Sequence, residues 1–216
     1  MKTATLHSRT IVRFVALCIV SLLASSAMAQ GVADIWLKKT TSLLQKKGVE
    51  IVFRINEDGF RIGGKLLMYD NSYFFDTDDM KIWFDGTTQW TLQMDSEYNE
   101  LYISKPAMED QQSINPYMLL KNYNERFIAT DGGEKTINGE LLHKVTLTAK
   151  DEQQELDGLH VYLRDNGELA AMTLLFSDER TIKIGVRSMR CGLTFPKSTF
   201  TYSSTQYPAD EVIDMR

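Results

Sequence analysis

Trp83-Phe84-Asp85-Gly86-Thr87-Thr88-Gln89-Trp90 is the stretch on which the fold turns. Strand-like runs flank Asp85-Gly86, Met80 to Phe84 before it and Thr88 to Met94 after it, so the dipeptide reads as a hairpin turn. The incoming run carries Ile82, Trp83 and Phe84 in succession. A half-buried strand alternates apolar with polar residues. Three large apolar side chains in a row predict a sheet with apolar material against both faces. The turn itself holds no nucleophile or base.

The first residues are read apart from the fold. Lys2, Arg9 and Arg13 make a basic start, Phe14 to Leu23 is an apolar run, and Ala27-Met28-Ala29 is a small-x-small cleavage signal. The run is too short for a spanning helix. Leu17 precedes Cys18, where a lipid-acceptor cysteine would want a small neighbour, so an ordinary secretory signal over residues 1–29 is expected. Removing residues 1–29 from 216 leaves 187, the size of a single domain, residues 30–216. The leader holds three of the 24 basic residues and none of the 29 acidic ones, so the net charge moves from −5 to −8. That balance argues against nucleic acid and against adhesion to an anionic bilayer. Cys191 is the one remaining cysteine, which leaves no intramolecular disulfide. The expected product is an exported, acidic, soluble protein of the periplasm.

Val32 to Lys47 reads as a helix, with Val32, Ile35, Trp36, Leu43 and Leu44 on one face and Gly48 as its cap. Val49, Ile51, Phe53 and Ile55 then share one face of a strand, Glu57-Asp58-Gly59 turns, and Phe60 to Tyr69 returns. Gly63-Gly64 predicts a bulge or bend. Asn71-Ser72 turns into Tyr73-Phe74-Phe75, and Asp76 to Asp79 is a polar turn. Past Glu97 to Ser104 and a polar loop, Asn115-Pro116 opens a short apolar helix through Tyr117-Met118-Leu119-Leu120. Strands resume near Phe127, with Asn166-Gly167 as a second hairpin signal, and Thr199 to Tyr202 is a candidate last strand. About eleven closely spaced strands with two helices predict an α+β protein that is mainly β. Its strongly curved antiparallel sheet forms an incomplete barrel, concave face covered by the helices.

Catalytic constellations do not emerge. His143 faces in with Leu141 and Val145, while His160 alternates outward, so they do not converge as a metal or acid–base pair. Asp76, Asp78, Asp79 and Asp85 fail the spacing of a calcium loop, because Met80 stands where an oxygen ligand is required. G-x-S-x-G and H-E-x-x-H are both missing. No enzyme activity, metal or cofactor is expected. The apolar surplus is the stronger signal: Trp36, Leu43, Leu44, Leu66, Met68, Phe74, Phe84, Trp90, Met94, Tyr117, Met118 and Leu120 need a destination. A plain core absorbs them. So does a cavity between sheet and helices that takes an apolar ligand, which flexible methionines suit.

The order of pieces resembles a known family, the periplasmic LolA-like carriers of outer-membrane lipoproteins. The resemblance runs through the leader and first helix, G-x-L at Gly64 to Leu66, Tyr73-Phe74 and D-G-x-T-x-W at Asp85 to Trp90. It continues through Asn99-Glu100 and N-P-Y-M-L-L at Asn115 to Leu120. It implies an open barrel of about eleven strands plugged by helices. In such a carrier these twelve apolar residues would hold acyl chains. Acylated lipoproteins would arrive from an inner-membrane ATP-driven releasing complex and pass to an outer-membrane acceptor. The carrier would be a monomer without catalysis or cofactor. A lipid or amphiphile sensor or scaffold on the same fold is the alternative. Aligned from Gly64, Asp70 stands where typical members have an arginine implicated in holding the lid closed.

Overall fold

Residues 49–69 set the pattern for the whole sheet. Val49, Ile51 and Phe53 are buried on one face of strand β1 (Val49–Glu57), and β2 (Phe60–Tyr69) returns beside it with Leu66 and Met68 buried on the same face. The computed structural model describes residues 31–57, 59–95, 97–106, 116–151 and 155–216, with backbone alone at 57 and 116–118. The expected leader and the Asn115 cap lie outside the described residues.

From β2 the chain continues as a meander through β3 (Ser72–Thr77), β4 (Met80–Phe84), β5 (Gln89–Met94) and β6 (Asn99–Ser104). Two short helices follow, α2 (Pro116–Lys121) and α3 (Tyr123–Arg126), numbered after α1 at residues 31–44. A second meander runs through β7 (Phe127–Ile137), β8 (Glu140–Ala149), β9 (Leu156–Leu163), β10 (Leu169–Phe176) and β11 (Thr181–Cys191). Antiparallel pairing of β1 with β11 joins the two meanders into one sheet. A last strand, β12 (Glu211–Asp214), pairs in parallel with β6 at the far edge. The result is a large, open, curved sheet of twelve strands, mostly β with few helices, not closed into a barrel.

The sheet carries apolar material on both faces, as Ile82-Trp83-Phe84 predicts. Ile82 and Phe84 point to the concave side and join the main core. There Ala33, Leu37 and Leu44 of α1 and Leu119 and Leu120 of α2 pack on the strands. Trp83 points the other way, into a second cluster with Phe74, Leu92, Leu101 and Phe200. What covers it is the C-terminal segment. The Trp83 ring packs on Phe74 at 5.2 Å, Tyr202 at 5.5 Å and Tyr207 at 5.1 Å, and the Tyr202 hydroxyl donates to the Tyr207 carbonyl at 2.5 Å. Thr199–Tyr202 is therefore not a strand. Lys197–Phe200 forms a 3₁₀ turn that drops Phe200 onto the sheet.

Local detail adds to or departs from expectation at three places. Asp85-Gly86 turns the expected hairpin, through a four-residue loop because Phe84 pairs directly with Gln89. Asp85 Oδ1 accepts the Thr87 and Thr88 amides at 2.9 and 2.8 Å, and Gly86 takes φ +100°. Gly63-Gly64 makes no bulge, since β1 and β2 pair without a register shift. A Cβ on Gly64 would stand 2.6 Å from both the Phe53 ring and the Asp76 carbonyl, so this glycine is a slot for the Phe53 ring. Helix α1 ends at residue 44 and buries Ala33, Leu37, Thr40 and Leu44; Ile35, at 66% exposed, and Val32 face outward. Gly48 serves the sheet, its carbonyl accepting the Leu193 amide at 2.8 Å.

Candidate functional site

Alternation along the strands brings one set of side chains to the concave face near its middle. Ile51, Phe53 and Ile55 come from β1, Leu66 from β2, Phe75 from β3, and Met80 and Ile82 from β4. Leu169, Met172 and Leu174 of β10 and Ile184 and Val186 of β11 face them, and Leu119 of α2 closes the wall. They enclose a cavity of about 200 Å³ in which every lining side chain is apolar. The Phe53 ring stacks on Phe75 with centroids 5.2 Å apart, the arrangement that the Gly64 slot permits. The lining side chains offer no proton donor, general base or nucleophile for catalysis. Water gains no hydrogen bonds there, whereas hydrocarbon loses its contact with water.

The apolar lining continues outward along the β1–β2 hairpin. Ile55 pairs with Ile62, and Phe60, two residues on, shares that face. Ile62 is 39% exposed and Phe60 77%. These two side chains extend the apolar surface of the cavity's face into solvent.

Helix α1 is fastened over the concave face by specific contacts. Thr40 is fully buried, and its hydroxyl lies 2.9 Å from the Gly167 carbonyl in the β9–β10 turn. Lys39 Nζ donates to the Asp165 carbonyl of the same turn. The Trp36 ring stacks on the His143 imidazole at 4.4 Å, and Lys39 Nζ lies 5.1 Å from the Trp36 ring centroid. His143 Nε2 approaches Asp131 Oδ1 to 2.9 Å without the alignment of a hydrogen bond. The Tyr123 hydroxyl donates to Asp34 Oδ1, tying α3 to α1, and burial together with that carboxylate pushes the phenol upward. Asp70 takes no part: it sits in the β2–β3 turn with φ +53°.

Of the twelve residues singled out from sequence, Leu66 lines the cavity. Trp36, Leu43, Leu44, Met68, Phe84 and Leu120 belong to the main core beside it. Phe74, Trp90 and Met94 are not brought there, because strand parity puts them on the convex face under the C-terminal segment. The side chains of Tyr117 and Met118 lie outside the described residues. Sequence reasoning missed Phe53, Phe75, Met80, Met172 and Leu174 among others. The parity of β1 was the available signal, since every strand paired to it in register inherits its faces.

The charged candidates have local roles. Asp76 pairs with Lys81. His143 faces in with Val145, but Leu141, 57% exposed at the strand end, does not accompany it. His160 is on the outer side of β9, its pKa lowered by burial and by Lys144. Cys191 is half-buried at the margin of the core, and desolvation pushes its thiol upward.

The profile of the family described as "Outer membrane lipoprotein carrier protein LolA" matches residues 23–166, well over half of the chain. The chain belongs to this family. No curated protein sequence matches it significantly. Among solved structures, an uncharacterized conserved protein from Thermus thermophilus superposes with a TM-score of 0.56 at 9% identity. That match covers 85% of this chain and 99% of that one, a likeness of fold. MucB gives 0.47 at 15% identity, over 81% and 64% of the two chains. A LolA superfamily protein from Nitrosomonas europaea gives 0.41 at 10%, over 79% and 97%. The family match thus bears out the sequence resemblance, and the chain is a divergent LolA-like member.

Proposed function

We propose that this LolA-like chain is a periplasmic carrier that shields the acyl chains of lipoproteins between the concave sheet and helices α1 and α2. The observation that carries this reading is the cavity without a polar side chain, with exposed apolar Ile62 and Phe60 on the same sheet face. Each methylene moved out of water contributes about 0.8 kcal/mol, so an acylated protein needs such a shelter to cross an aqueous space. A site that can only desolvate performs no bond-making step, and the proposed activity is accordingly non-catalytic. Met80 and Met172 in the wall give it the adaptability that varied acyl chains require. Residues 1–29 direct export and are then removed. Cargo is taken from an ATP-driven releasing complex at the inner membrane and passed to an acceptor at the outer membrane, by a monomer.

The test is native recovery of the mature protein from the periplasm, with mass spectrometry of what accompanies it. Acylated lipoproteins should co-purify with the wild type and be lost from Leu174→Glu and Ile184→Glu, both at partly exposed wall positions. Free fatty acid or phospholipid alone would replace the carrier by a general lipid binder. An empty protein that also ignores fluorescent acyl probes would make the cavity ordinary core.

A further inference from the structure

The outer face of the C-terminal meander, behind the cavity, holds a second and chemically opposite feature. A groove of about 560 Å³ crosses β8, β9, β10, β11 and β1. The strand register explains it. Tyr162 pairs with Ala171, Ala171 with Gly185, Gly185 with Arg54, and Arg54 with Gly63, so one row across the sheet is built largely of residues with little or no side chain. A Cβ on Gly63 would meet nothing within 4 Å, and on Gly185 only the Arg54 carbonyl at 4.0 Å. The trough is floored by buried Leu142 and Ala170.

Its rim is cationic. Arg54, Lys183 and Arg187 line it, and Arg61 continues the patch beyond Arg54. All four are exposed, and no side-chain hydrogen bond or ion pair engages them among the described residues. The lining acid, Glu140, is already engaged by Arg164 at 2.7 Å. Glu50, further along β1 on the same face, is held by Arg190 at 2.6 Å. A chain with 29 acidic and 24 basic residues thus concentrates unpaired positive charge in one recess.

We propose that this groove is a docking site for an acidic, extended polypeptide segment of a partner protein. The carboxylates of such a segment would meet Arg54, Lys183 and Arg187, and its alternate apolar side chains would rest on Leu142 and Ala170. Guanidinium groups suit carboxylates, and complementary charge sets partner choice and association rate. A recess floored by strand backbone admits a peptide, whereas a flat bilayer reaches only the rim. Because the groove and the cavity are on opposite faces, a partner is held without displacing cavity contents.

The full mature protein is titrated with a fluorescein-labelled octapeptide alternating glutamate and valine, and with its lysine–valine counterpart. Flotation with phosphatidylglycerol and with phosphatidylcholine vesicles runs in parallel. The acidic peptide should bind, the basic one should not, and affinity should fall steeply between 50 mM and 500 mM salt. Arg54→Glu/Lys183→Glu should weaken binding at least tenfold while uptake of an apolar probe by the cavity is unchanged. Gly185→Val, which fills the trough and keeps every charge, should weaken it as well. Equal binding of both peptides, no binding of either, unaltered affinity in the two folded variants, or binding confined to phosphatidylglycerol vesicles would each overturn the proposal.

Discussion

Replacement of Thr40 by valine tests whether helix α1 is a movable cover or simply core. The Thr40 hydroxyl lies 3.1 Å from the Trp36 carbonyl within the helix and 2.9 Å from the Gly167 carbonyl across the interface. The first contact survives when the helix lifts; the second exists only when it is seated. Valine keeps the shape and the helix propensity and removes the donor. In the seated state the Gly167 carbonyl then faces a methyl group in a fully buried site, a loss of about 1–3 kcal/mol. Lifting α1 returns that carbonyl to water, so the cost falls on the closed state alone. At about 1.4 kcal/mol per factor of ten, the closed-to-open ratio should fall roughly 5- to 150-fold. Hydrogen exchange should report α1 amides exchanging faster by that factor while β8 and β9 amides keep their protection, and an apolar fluorophore should enter faster. Equal loss of protection in helix and sheet would refute the reasoning, since α1 would then open only when the whole domain unfolds. Unchanged exchange would show that this hydroxyl fastens nothing.

Gly64→Ala should cost about 1–3 kcal/mol by driving a methyl group against the Phe53 ring and the Asp76 carbonyl. The urea midpoint reads the loss, and acyl-probe uptake should fall with it as Phe53 leaves Phe75. Trp83→Ala should cost about 3–5 kcal/mol and free the C-terminal segment first. Limited proteolysis should then cut within residues 193–210 before the sheet melts. His160 is held below its usual pKa, mainly by burial and secondarily by Lys144, so the folded state takes up its proton later than the unfolded chain. Its contribution is complete above about pH 6.5 and is lost as the pH falls through the lowered folded value. Melting temperatures measured across that window should slope less in His160→Gln.

Most element positions were legible because their signals are local. Val49 to Ile55 alternates, Phe60 to Tyr69 returns after a glycine turn, and Asn166-Gly167 closes a hairpin in which Gly167 takes φ +86°. The doubly apolar strand at Ile82 to Phe84 correctly required cover on both sides. The faces of Phe74, Trp90 and Met94 were not legible. When both sides of a sheet are buried, alternation no longer distinguishes inside from outside, and the assignment waits on which distant segment covers which face. The parallel strand β12 gave little sign of itself, being four residues long with exposed Val212 and paired to a strand over a hundred residues earlier. Helix α1 was misturned for a related reason. Its buried face includes Ala33 and Thr40, and a small residue or a threonine counts as apolar only once Gly167 supplies the missing acceptor.

By itself, the sequence determined a mainly β chain with a curved antiparallel sheet, helical cover and an apolar surplus, because backbone propensity, turn chemistry and alternation act over a few residues. Only the tertiary structure decided that the surplus divides into two. One part lines a cavity under α1 and α2, and the other lies beneath the C-terminal segment. It also decided that Arg54, Lys183 and Arg187 share a groove. These are consequences of register between strands far apart in the chain, and register is settled by the summed packing of the whole sheet rather than by any one stretch.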